Sequence, residues 1–444
     1  MRPTILKRNE IFRDLVRLVS GTLGGRLIML AALPLGTRLY SPDDFSLLAV
    51  YLGIISMASV VVCLRFDIAI PLAANHDEAI RLLILALGFA GGIALLICIP
   101  VLLFPRQTAI LINQPRLESY IWMVPAGIFL AAAYSALQFW ATRARRFGSI
   151  ALSRFTQSTV GVFAMLALGW VGYTPIGLII GNILNFSSGS VRFLVDAFRL
   201  DHISIIHFRS KDLVHTFRNY YRYPLYSTPE ALASVSGLQI PVLIIAAYSS
   251  SEAGYLLIAQ QIINAPISLL GSSIAQVYMS RLPSELQAGR LSDFTGDILL
   301  KLIQIGVIPI ILAGLVAPFA FPVILGSSWE RSGEIVALMV PWITLQFIAS
   351  PVSMVLNITG RQHWALSLHV FGIFLRIFPI LIVLKFPIIG VIDAFIIGST
   401  VFYSVYIWVV IKAAGISLKK VVSKYVILLF PILSLYIFIV QILK

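Results

Sequence analysis

Three arginines, Arg26, Arg154 and Arg376, lie inside otherwise apolar stretches. An arginine facing lipid at a bilayer centre costs at least ~2.5–3.5 kcal/mol, so each is expected to face a polar interior. A guanidinium grips anionic oxygens through a two-pronged fork, so this set suits an anionic ligand. Snorkelling to the interface, easiest for Arg154, or a fixed ion pair would also satisfy them. A second set is Gln260, Asn264, Ser268, Ser272 and Gln276, each four residues after the last. That spacing drifts only about 40° per step, so all five stay within one half of a helix surface. Amides and hydroxyls there would line a wall for a hydroxylated ligand, or join packed helices. Acids are scarce in the apolar stretches. Glu230, in Thr228-Pro229-Glu230, is the candidate for taking a coupling proton, since burial raises a carboxyl pKa. A cytoplasmic-end carboxylate paired with Arg222 or with an arginine of the other lobe is the alternative.

Other polar residues read as structural. Arg65 and Asp67 suggest a local gate or ion pair, Asp393 a charge at a helix start, and His369 a hydrogen-bonded interior residue. Lys301 follows Asp293 and Asp297 as on a solvated helix face. Cys63 and Cys98 sit in apolar runs without CxxC spacing and read as buried thiols, not metal ligands. There is no Walker A sequence, no DxD motif and no connection long enough for a soluble catalytic domain. Neither enzymatic activity nor a cofactor or metal is expected.

The elements that must hold these residues follow from composition. Of 444 residues, 59% are hydrophobic and 12% charged. A soluble domain carries about twice that charge fraction. The balance excludes a disordered chain, a nucleic-acid-binding domain and an ordinary cytosolic enzyme, and predicts an all-α polytopic membrane protein. Thirteen apolar stretches have roughly the length of a span, about 20 residues. The first runs from about Leu15 to Leu39; the others centre near Ile55, Gly91, Leu130, Gly161, Asn185, Leu238, Ala265, Ile311, Thr344, Ile373, Thr400 and Leu433.

The net charge of +14 is mostly a topology signal. On alternating sides, one set of odd-numbered connections and the C-terminus holds only Arg38, Arg106, Arg116, Arg331, Lys385 and Lys444. Most remaining Lys and Arg lie on the N-terminal side, which predicts a cytoplasmic N-terminus.

The chain also echoes itself. Tyr40-Ser41-Pro42-Asp43-Asp44 resembles Tyr248-Ser249-Ser250-Ser251-Glu252, Ala141-Thr142-Arg143-Ala144 resembles Ile358-Thr359-Gly360-Arg361, and Gly177-Leu178-Ile179 resembles Gly390-Val391-Ile392. The echoes keep their order and a nearly constant separation. They predict two pseudo-symmetric six-helix bundles of the same orientation around a central cavity, suited to alternating access. The expected lobes are 1–205 and 206–415, with a basic linker and a thirteenth helix over 416–444; Val426 to Leu443 either spans or lies at the interface.

Four segments carry a family resemblance. Pro34-Leu35-Gly36-Thr37-Arg38-Leu39-Tyr40-Ser41-Pro42-Asp43-Asp44-Phe45 resembles the opening motif of bacterial polysaccharide-biosynthesis flippases. Leu64-Arg65-Phe66-Asp67-Ile68-Ala69-Ile70 resembles their stretch after the second helix. Tyr223-Pro224-Leu225-Tyr226-Ser227-Thr228-Pro229 and Glu252-Ala253-Gly254-Tyr255 are similar to their entries to the seventh and eighth helices. Ser46, Asp67 and Glu230 depart from the pattern without disturbing the fold.

The resemblance implies the multidrug/oligosaccharidyl-lipid/polysaccharide exporter superfamily. It further implies an inner-membrane flippase that carries undecaprenyl-diphosphate-linked oligosaccharides to the periplasmic leaflet for O-antigen or exopolysaccharide synthesis. The arginines would then meet the diphosphate. Partners implied are that lipid-linked oligosaccharide, membrane lipids, a polysaccharide polymerase and chain-length regulator, and H+ or Na+ as coupling ion. A lipid II flippase or a multidrug/cation antiporter of the same fold, and more distantly an integral-membrane polymerase, remain alternatives.

Overall fold

The structure, a computed structural model, describes residues 8–200 and 210–417. Among the described residues the chain runs as twelve long helices: α1 (Arg8–Leu39), α2 (Pro42–Val62), α3 (His76–Leu103), α4 (Met123–Arg143), α5 (Phe147–Trp170), α6 (Ile176–Leu200), α7 (Thr228–Tyr248), α8 (Glu252–Gln287), α9 (Leu291–Leu325), α10 (Glu330–Ala349), α11 (Gln362–Lys385) and α12 (Val391–Ala413). They take up the first twelve predicted spans in order. Ten of them are long and apolar enough to cross a membrane. The other two, α1 and α8, run for 32 and 36 residues. The thirteenth stretch, 426–443, lies outside the described residues.

Local chemistry sets the helix starts. Ser41 opens α2 as a capping box: its hydroxyl accepts from the Asp44 N–H, and the Asp44 carboxylate accepts from the Ser41 N–H at 2.8 Å. Pro42 follows at the first helical position, where its missing N–H costs nothing. Asn75 caps α3 through the Glu78 N–H, and Glu78 returns the bond to the Ala74 N–H. Between α2 and α3, Leu64 and Arg65 both take positive φ, 48° and 58°. Two successive non-glycine residues there store strain, so neighbouring contacts must hold this break.

The chain forms two compact units, Met1–Ser250 and Ser251–Lys444. In the first, α2 packs on α3 and α4, α4 on α3 and α6, and α5 on α6 and α1. In the second, the same pairs recur six helices later: α8 with α9 and α10, α10 with α9 and α12, α11 with α12. One helix departs. α7, the positional counterpart of α1, packs against α2 within the first unit. Glycines permit the closest approaches. A Cβ on Gly161 would lie 2.9 Å from the Gly181 carbonyl oxygen, so α5 and α6 meet backbone to backbone. In lipid, such close packing replaces the hydrophobic drive that water would supply.

Candidate functional site

The first unit brings two of the three expected arginines together. Arg26 lies on α1 and Arg154 on α5, within electrostatic reach of each other. The α1–α5 contact is tight because Gly21 and Gly25 face the backbone of Ala151 and Arg154. Arg154 Nη1 donates to Thr22 Oγ1 at 2.6 Å, which ties the second guanidinium to the helix of the first. The Tyr134 phenol, from α4, lies against the side chains of Ser153, Arg154 and Gln157. Ser153 in turn donates to the Gly189 carbonyl on α6 at 3.3 Å. The result is a polar layer across four helices with two like charges in it. The two guanidinium groups make this layer electropositive, which suits an anionic ligand.

Arg376 is placed differently. It is 3% exposed on α11, with its guanidinium carbon 4.1 Å from the Phe402 ring centre and 5.6 Å from that of Tyr403. The α12 aromatics thus hold its charge by cation–π contact. His369 lies near Tyr406, 6.3 Å between ring centres, in the same aromatic cluster.

The α8 stripe falls on one continuous helix, as its spacing predicts. Asn264 lines a pocket in the second unit of about 390 Å³, together with Gly271 and Ala275 of α8 and with Gln346, Phe347, Ser350 and Pro351. Gln260 is half-buried. The side chains of Ser268, Ser272 and Gln276 lie outside the described residues. Glu230 is exposed in the first turn of α7. Lys301 is exposed on α9, and Asp393 opens α12. Asp67 is buried at 4% exposure and accepts from the Ser135 hydroxyl at 2.8 Å; this contact, not a pair with Arg65, is its hydrogen bond among the described residues.

Sequence reasoning missed several arginines that hold connections. Arg143 donates to the carbonyls of Ile70, Pro71, Ala73 and Asn75, at 3.3, 3.4, 2.7 and 3.0 Å, and so clamps the segment that leads from the strained turn into α3. In the echoed segment Arg361, which aligns with Ala144, donates to the Lys412 carbonyl at 3.2 Å. Arg116 pairs with Asp43 at 3.2 Å, and Arg331 pairs with Glu252 at 3.5 Å and Glu334 at 2.8 Å. Each of these two arginines meets an acid from one of the echoed hairpins, Asp43 near the start of α2 and Glu252 at the start of α8. A signal was present: the acids were part of the echo, and both arginines were among the few cations on that side.

The motif tyrosine is structural as well. Tyr40 is 2% exposed and its hydroxyl donates to the Met165 carbonyl at 2.6 Å. Gly169 and Gly177 leave the space its ring occupies. Burial, and then the Asp44 carboxylate, push the phenol up to about 12, so it remains a neutral donor.

Comparisons with known proteins agree with this architecture. No curated protein sequence matches the chain significantly. Among solved structures, the lipid II flippase MurJ in an inward closed conformation superposes with a TM-score of 0.72 at 12% identity, covering 95% of this chain and 92% of that one. A point mutant of the Vibrio cholerae MATE transporter VcmN gives 0.58 at 13% identity, covering 94% and 97%. A eukaryotic MATE transporter, AtDTX14, gives 0.57 at 15% identity, covering 94% and 99%. At such identities the likeness establishes the two-lobed helical fold and nothing finer. A sequence-family profile described as "Polysaccharide biosynthesis protein" matches residues 36–334, more than half the chain. With that match joined to a flippase and transporter fold, the chain belongs to the polysaccharide biosynthesis protein family.

Proposed function

We propose that this protein moves undecaprenyl-diphosphate-linked oligosaccharide repeat units from the cytoplasmic to the periplasmic leaflet of the inner membrane by alternating access. The observation that carries the reading is the arginine pair, Arg26 and Arg154, on facing helices of the first unit. A diphosphate is the part of such a substrate least able to cross lipid, and two forked donors match its oxygens. Arg376, held by aromatic rings, would contribute positive potential more than a direct ligand. The amides and hydroxyls of α8 would serve the sugar.

In this reading the N-terminus is cytoplasmic and the lobes are 1–205 and 206–415, with 416–444 as an appended segment. Helix α7 then belongs to the second lobe by sequence while packing on α2 of the first. Glu230 would couple alternating access to H+ or Na+ entry, from an exposed position at the start of α7 and without the burial expected from the sequence. A polysaccharide polymerase and a chain-length regulator would receive the product.

The test is genetic. Deleting the gene should remove surface polysaccharide and leave a lipid-linked repeat unit on the cytoplasmic side. Arg26→Ala should fail to restore polysaccharide at normal protein level, and Arg26→Lys should restore only part, because a point charge cannot reproduce the fork. Full restoration by Arg26→Ala would remove the diphosphate role.

A further inference from the structure

The pocket of the second unit is lined by two carboxamides from different helices, Asn264 of α8 and Gln346 of α10. Ser350 adds a hydroxyl, and Ile267 and the Phe347 ring add apolar surface. No charged residue is among the described groups lining it. The Gln346 side-chain oxygen is buried and accepts no hydrogen bond among the described residues. Among the described residues, that amide oxygen therefore joins α10 to no neighbour.

A pocket of this chemistry selects against the other parts of a lipid-linked substrate. A diphosphate needs cations, and the described wall has none. A polyprenyl chain gains nothing from two carboxamides and would leave them without water. A neutral pyranose fits both surfaces, since its hydroxyls donate and accept as amides do, and its C–H face lies against apolar or aromatic groups. The volume, about 390 Å³, falls within the range of small-molecule sites.

We propose that this pocket is a neutral-sugar site, with Gln346 and Asn264 as the paired amides that read the hydroxyls. The assignment rests on the flippase reading but uses different residues from the arginine pair. It divides recognition between the units: charge in the first, hydroxyl pattern in the second.

Gly271 provides the reporter. A Cβ there would lie 3.8 Å from the Pro351 ring, an ordinary contact, so a cysteine is tolerated at the pocket wall. Gly271→Cys is placed in a Cys63→Ala/Cys98→Ala background, the full chain is reconstituted in lipid nanodiscs, and its rate of maleimide labelling is followed. The probes are dodecyl maltoside, a neutral disaccharide on an alkyl chain, and a dodecyl polyoxyethylene ether without sugar, both below solubilising amounts. The maltoside should slow labelling several-fold and the ether should not. Gln346→Leu and, as a second variant, Asn264→Leu should each abolish the difference while the protein stays monodisperse.

Equal slowing by both probes would make the pocket an alkyl-chain site and overturn the proposal. So would slowing by neither, or protection that survives both substitutions. Because the probe carries no phosphate, Arg26→Ala should keep the protection. A failure of the diphosphate reading would show in transport, not here.

Discussion

Arg143 illustrates how one side chain can hold a strained connection. Four carbonyls from residues 70–75 converge on its guanidinium, following two residues in the left-handed region at 64 and 65. Charge-assisted bonds of this kind are worth about 1.5–3 kcal/mol each when a partner is lost, and are not additive. Arg143→Met should therefore lower the detergent-solubilised melting temperature, with a loss of at least about 1.5 kcal/mol. Arg143→Lys should recover only part, since one ammonium cannot reach four carbonyls. An unchanged melting temperature for Arg143→Met would mean the turn is held elsewhere. At this scale the sequence was read unevenly. Arg26 and Arg154 stood out because charge is costly inside an apolar run. Arg143 did not, because a basic residue at a predicted cytoplasmic end is expected for topology alone, and its carbonyl partners leave no mark in side-chain chemistry.

At the scale of elements, the spans and their order were legible because each long apolar run has one stable form in lipid. The pairing of helices was only partly so. The echoes of Tyr40–Asp44 and Tyr248–Glu252 pointed to a repeated unit, and the pairs α2–α4, α4–α6 and α5–α6 do recur as α8–α10, α10–α12 and α11–α12. The attachment of α7 to α2 could not be read. It depends on close packing with no local pattern, as at Gly53 of α2, where a Cβ would lie 3.3 Å from the Gln239 side-chain oxygen of α7; Gln114, buried in the α3–α4 connection, adds a bond to the Leu243 carbonyl at 2.9 Å. Close helix contacts carry a clear expectation. Gly161→Leu forces a side chain against the Gly181 backbone and the Asn185 side chain, which would lie 2.9 and 3.0 Å from its Cβ. Overpacking of this kind costs about 1–3 kcal/mol, so the variant should melt earlier and accumulate less in membranes. Gly88→Leu, where a Cβ meets nothing within 4 Å, is the control and should behave as the parent.

At the scale of the whole molecule, composition alone placed the chain in a membrane, and the asymmetry of Lys and Arg proposes a direction for it. Cysteines introduced at Asp43 and Ser250 should react with an impermeant maleimide added outside the inner membrane, and one at Lys211 should not. Labelling at Lys211 from outside would reverse the proposed orientation. Substrate identity was not legible at any scale, because a sugar is recognised by neutral amides and hydroxyls that also join helices. Charge was the exception, and the most direct measurement exploits it. Purified protein is reconstituted in proteoliposomes with undecaprenyl-diphosphate carrying a labelled oligosaccharide, and the fraction reaching the opposite leaflet is followed with a pH gradient and a potential imposed separately. The wild type should translocate the lipid, Glu230→Gln should lose its response to one gradient, and Arg26→Ala/Arg154→Ala should fall to the protein-free rate. Translocation at the wild-type rate by the double arginine variant would contradict the account.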